Sequence, residues 1–239
     1  MTIYSNMITS NDCYVKYGCA EYLRNKDTCD LNCNFCTRLY KMDDLYNKSL
    51  LSQKQRQRVQ IRLDADGADR EQFGILKSIS DNILEFVCNG SNLYIHSSVC
   101  GNGKTLWAIR MIQSYIGNIW YRSEFECRAL FVHVPRFLIA LKDNISNPSE
   151  YIAHIKENVE NADIVVWDEI GTKAPSQFEH ENLLSLINNR IDNNKTNIYT
   201  SNLNSDQLRD VIGDRLYSRV VNLSTDIELH GQDKRGLTE

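Results

Sequence analysis

The sequence predicts an α/β protein: a five-stranded parallel sheet built around a phosphate-binding loop, with a small cysteine-rich module ahead of it. Three observations predict this. Five short apolar runs, at 93–95, 129–134, 163–170, 196–200 and 227–230, alternate with segments of helical periodicity, the pattern of a parallel sheet with crossover helices. The first run leads into Gly101-Asn-Gly-Lys-Thr105. Five of the eight cysteines fall within 24 residues near the N-terminus.

A strand, a glycine loop, Lys-Thr and a helix in that order give a P-loop its structural context. The backbone N–H groups of Ser98, Val99, Cys100, Gly101, Asn102 and Gly103 converge on a phosphate. The helix start at Lys104, Thr105 and Leu106 adds its positive dipole end. Lys104 neutralises β- and γ-phosphate oxygens, and the Thr105 hydroxyl ligates Mg²⁺. One position departs from the pattern: Ser98 stands where glycine is usual. A serine tightens the turn but removes no donor.

The run at 163–170 ends in Asp168-Glu169, which reads as a Walker B strand. Asp168 belongs to the Mg²⁺ shell, and Glu169 polarises the attacking water. The run at 196–200 leads into Ser201-Asn202. A polar residue at that strand tip can bridge the water and the γ-phosphate; a helix cap before Leu208 is the rival reading. Asn194-Lys-Thr-Asn197 lacks the aspartate of a guanine-reading motif and precedes its strand, which favours adenine and hence ATP.

The remaining segments are read as helices. Phe73, Leu76, Ile79, Ile83 and Phe86 recur at helical spacing up to Asn89-Gly90, predicting one helix. Further helices are expected over 136–141, 151–159, 178–191 and 213–220. Residues 64–69 resemble a calcium loop but place Gly67 too early.

Cys13, Cys19, Cys29, Cys33 and Cys36 lie in a segment with no secretion signal, so a zinc site is expected rather than disulfides. Four thiolates would supply the folding energy of a core-poor segment. Which four of the five bind is open. The expected organisation is a zinc module over 1–50, a basic linker over 51–68 and an ATPase domain over 69–239.

With 27 Lys/Arg against 31 Asp/Glu, the chain is no general nucleic-acid coat protein. Residues 1–62 nevertheless carry 10 basic against 6 acidic residues, so DNA contacts should be local. No run approaches the roughly 18 apolar residues of a membrane span, and a cytoplasmic location is expected.

Together these motifs resemble an AAA+ (ASCE) ATPase. Tyr94-Ile-His-Ser-Ser98, Val166-Trp-Asp-Glu-Ile-Gly171, Tyr199-Thr-Ser-Asn202 and Gly213-Asp-Arg-Leu-Tyr-Ser-Arg219 are similar to DnaC/DnaI-type replicative helicase loaders, the phage-encoded ones most closely. The resemblance implies a sheet order of 5-1-4-3-2, Arg219 as arginine finger and Arg215 supporting it. It also implies a hexameric helicase as partner, contacted through the cysteine-rich module, with single-stranded DNA and self-assembly through the ATPase domain. An IstB-like transposition helper has nearly the same core motifs. A nucleotide-gated adaptor with little hydrolysis is a third reading.

Overall fold

The computed structural model describes residues 34–57, 61 and 67–234; the side chains of 34–37 and 39 are outside the description. Five strands are present: β1 Leu93–His96, β2 Ala129–His133, β3 Ile164–Asp168, β4 Thr196–Ser201 and β5 Thr225–Glu228. They form one parallel sheet ordered β2-β3-β4-β1-β5. This is the expected 5-1-4-3-2. β1 and β3 are buried at every position, as strands covered on both faces must be.

Alternation along the strands builds two cores. Leu93, Ile95, Phe131, Val166 and Ile198 face one side. There they meet α5 (Lys104–Ile119), α3 (Arg70–Asp81) and α4 (Ile83–Cys88). Tyr94, Leu130, Val132, Trp167 and Tyr199 face the other. They pack with α6 (Val134–Asp143), α7 (Glu150–Asn158), α8 (Gln177–Asp192) and α9 (Ser205–Val220). On that side Arg190 is fully buried. It donates to Asn197 Oδ1 at 2.7 Å and to the Val159, Ala162 and Thr196 carbonyls. Burial pulls its pKa down to about 10, so it stays charged at neutral pH and ties α8 to β4 and to the turn between α7 and β3.

Helix boundaries depart from the sequence reading in three places. The helix expected through Phe86 is two, α3 and α4, broken at Asn82. The Asn82 side chain donates to the Ser78 carbonyl at 2.9 Å, offering the backbone an alternative to helix. The last helix starts at Ser205, capped by Asn204 with a capping box to Gln207. Gly213, read as a helix start, has φ 77° and divides this helix at a kink, so the expected 213–220 stretch is present and a further stretch precedes it. The third departure is α1 (Asn34–Lys48), followed by the short α2 (Gln53–Arg56). Met42, Leu45, Tyr46 and Leu51 join the core around α5. The end of the expected 1–50 module and the start of the linker therefore share the ATPase core. Cys13, Cys19, Cys29 and Cys33 lie outside the described residues, as does the Cys36 side chain. No helix of the described residues is long and apolar enough to cross a membrane.

Candidate nucleotide site

The pocket lies at the carboxyl ends of the strands, where ligands bind in open α/β sheets. It is lined by Cys100–Leu106, Glu169 and Thr200–Asn202, with a volume of about 290 Å³. Gly101 and Gly103 take φ of 76° and 113°, values only glycine adopts without strain. Ser98 does not adopt a positive φ, so the missing glycine is not required there. Gly103 caps α5 with no side chain of its own, and the first N–H groups of the helix open toward the pocket.

Lys104 is folded back on the loop: its ammonium donates to the Val99 carbonyl at 2.7 Å, the Ser97 carbonyl at 3.2 Å and Asn102 Oδ1 at 3.3 Å. Holding a phosphate would exchange these acceptors for phosphate oxygens. Asn102 is buried and donates to Ser97 Oγ and the Leu229 carbonyl. Its side chain braces the loop, leaving only its backbone for the ligand. Ser98 and Val99 do not line the pocket; Leu106 does, 41% exposed.

Thr105 Oγ1 donates to Asp168 Oδ1 at 2.9 Å. A hydroxyl beside a carboxylate is a hard oxygen donor pair that fits Mg²⁺. Beyond Asp168 the backbone turns sharply: Glu169 has φ 60°, uncommon outside glycine. This brings its carboxylate within 3.2 Å of His133 Nε2. His133 Nδ1 caps α6 by accepting the Arg136 N–H, so the ring proton sits on Nε2 and is donated to Glu169. Asn202 lines the pocket opposite the P-loop; the cap of α9 is Asn204, not Asn202. Arg215 and Arg219 are exposed and do not line this pocket. Arg219 Nε donates to Asn188 Oδ1 on α8 at 2.7 Å.

A family model of IstB-like ATP binding proteins matches residues 43–232. The chain belongs to that family. The match begins within α1, in line with the packing of that helix onto the ATPase core. Among solved structures, the DnaC helicase loader superposes with a TM-score of 0.60 at 16% identity, covering 75% of this chain and 100% of that one. DnaI gives 0.58 at 18% identity, covering 78% and 95%. Domain III of the Thermotoga maritima replication initiation protein DnaA gives 0.52 at 19%, covering 72% and 70%. At these identities the likeness is one of fold, and the fold is AAA+. No curated protein matches the chain.

Two residues of this IstB-like site were not singled out from the sequence: His133 and Thr200. Both are polar ends of strands that flank β3. Pairing β2 with β3 in parallel puts His133 opposite Asp168, a signal available once register is considered.

Asp168 provides a test of the site's electrostatics. Burial raises its pKa, against hydrogen bonds from Thr200 and Thr105 that lower it. A carboxyl whose folded pKa lies above its unfolded value of roughly 4 favours folding when protonated. That contribution is full below the unfolded value and lost as pH rises through the folded one. At pH 7 the ionised Asp168 therefore subtracts stability. Asp168→Asn is expected to raise the melting temperature of nucleotide-free protein at pH 7. The gain should shrink on acidification and be accompanied by weaker Mg²⁺-dependent ATP binding. A melting temperature below wild type at pH 7 would contradict it.

Proposed function

We propose that this protein is an ATP-dependent loader of a replicative hexameric helicase onto single-stranded DNA. The observation that carries the reading is convergence. P-loop, Glu169 and Asn202 meet in one pocket on a sheet shared with the DnaC helicase loader.

In this reading the N–H groups of Gly101–Thr105 and the Lys104 ammonium hold the phosphates. Mg²⁺, held by Thr105 and Asp168, would neutralise phosphate charge. Glu169 accepts a proton from water as its oxygen attacks the γ-phosphorus and ADP leaves. Asn202 orients that water. Hydrolysis resets the loader's grip on its partner. Self-assembly through the ATPase domain and local single-strand contacts complete the proposal.

A second reading, a transposition helper, is favoured by the family match itself. Co-purification decides between them: a hexameric helicase recovered with the chain supports the loader, and a transposase overturns it.

The cysteine-rich segment is proposed to bind Zn²⁺ through four of its five thiols, a donor set that suits this metal. The helicase would dock there. Elemental analysis is expected to give about one zinc per chain, and chelation should weaken helicase binding while leaving ATP binding largely intact. A metal-free preparation that binds helicase normally would sink the idea.

A further inference from the structure

The ladder between β3 and β4 stops at the pair Trp167 and Tyr199. One residue further on, a side chain takes over the cross-strand link. The Thr200 hydroxyl donates to Asp168 Oδ1 at 2.8 Å and accepts the Glu169 N–H at 3.0 Å. The Thr200 carbonyl then accepts the Ile170 N–H at 2.9 Å. The hydroxyl's single proton is spent on Asp168, so its acceptor side is what remains for Glu169. Thr200 is 1% exposed, which shields both bonds from competing water.

The acceptor matters because Glu169 holds a left-handed backbone, a conformation that persists in a non-glycine residue only where its surroundings over-determine it. On the next residues the same strand continues the fixation: Ser201 Oγ donates to the Ile170 carbonyl at 2.7 Å. Asn202, which lines the pocket, follows directly.

We propose that Thr200 is a positioning residue for hydrolysis. Its hydroxyl fixes the Glu169 backbone to the Asp168 carboxylate, so that the Glu169 side chain is aimed into the nucleotide pocket. The residue lines the pocket, but both bonds of its hydroxyl go to Asp168 and Glu169, through which it acts. The proposal rests on the ATPase reading above.

Valine has nearly the shape of threonine and lacks the hydroxyl. Thr200→Val removes one donor to Asp168, which keeps Thr105, and the acceptor of the Glu169 N–H. A catalytic carboxylate displaced by even about 1 Å can lose on the order of 10²-fold in rate. Thr200→Val is therefore expected to lower kcat roughly 10- to 100-fold, while the Kd for ATP changes by less than about 3-fold. Thr200→Ser restores the hydroxyl and should bring kcat back to within about 3-fold of wild type.

The measurements are ATP turnover at a chain concentration that supports assembly, equilibrium ATP binding, and thermal melting of each variant. A loss of kcat in the valine variant, with ATP affinity kept and recovery in the serine variant, supports the assignment. Wild-type turnover in Thr200→Val overturns it and leaves the ATPase reading standing. So does a parallel loss of ATP binding and folding, which would make Thr200 a structural residue only. A serine variant as slow as valine removes the hydroxyl as the agent. A wild-type chain without turnover takes down the ATPase reading and this assignment together.

Discussion

Glu169→Gln is expected to bind ATP with near wild-type affinity and to hydrolyse it about 10²- to 10⁴-fold more slowly, the range for loss of a general base. The substitution is a clean one here. The backbone N–H of residue 169 still reaches Thr200, and the new amide oxygen can still accept from His133 Nε2, now 3.2 Å from the carboxylate. Position is kept; proton affinity is lost. Lys104→Ala should behave in the opposite way, failing at the binding step. It removes a cation that lines the loop and whose three described acceptors show it already within the P-loop. Phosphate release and equilibrium nucleotide binding, measured side by side, separate the two. Wild-type turnover by Glu169→Gln would mean that Glu169 is not the base.

The sheet and its motifs were legible because each strand is a short apolar run and each motif sits at a strand end. What escaped was set by tertiary context. The break at Asn82 is invisible to periodicity: Ile79 and Ile83 continue the four-residue spacing straight across it, and only the asparagine's own bond to Ser78 marks the end. In α1, Met42, Leu45 and Tyr46 recur at a spacing that describes a helix with a buried face, next to a cysteine cluster that reads instead as a metal module. Gly213 does divide the last helix, with a non-helical backbone between two helical stretches, but the stretch before it was not read from the sequence. At the site, Lys104, Thr105, Asp168, Glu169 and Asn202 could be found by pattern. His133 and Thr200 could not, since strand-end histidines and threonines carry no signature until a neighbouring strand is placed beside them.

Arg219→Ala is expected to bind ATP and yet lose turnover by about 10³- to 10⁵-fold, the range for an arginine that stabilises a phosphoryl-transfer transition state. We propose that it acts on a neighbouring subunit, a reading consistent with where its own chain puts it. Arg219 is exposed, its guanidinium is held by Asn188, and it is absent from the lining of its own nucleotide pocket. For Arg219 to serve as the arginine finger that the family resemblance implies, it would have to reach the γ-phosphate held by another copy. Wild-type turnover per chain should accordingly rise with protein concentration, or on a helicase–DNA scaffold that gathers subunits. The sharpest form of the test mixes two inactive variants. A Lys104→Ala chain keeps its arginine but holds no nucleotide; an Arg219→Ala chain holds nucleotide but offers no arginine. Where the first adjoins the second, one complete site forms, so the mixture should regain part of the wild-type rate that neither variant has alone. Recovery should follow the mixing ratio with a maximum at intermediate composition, because only mixed neighbours complete a site. If both variants assemble and the mixture stays inactive at every ratio, Arg219 does not act between subunits.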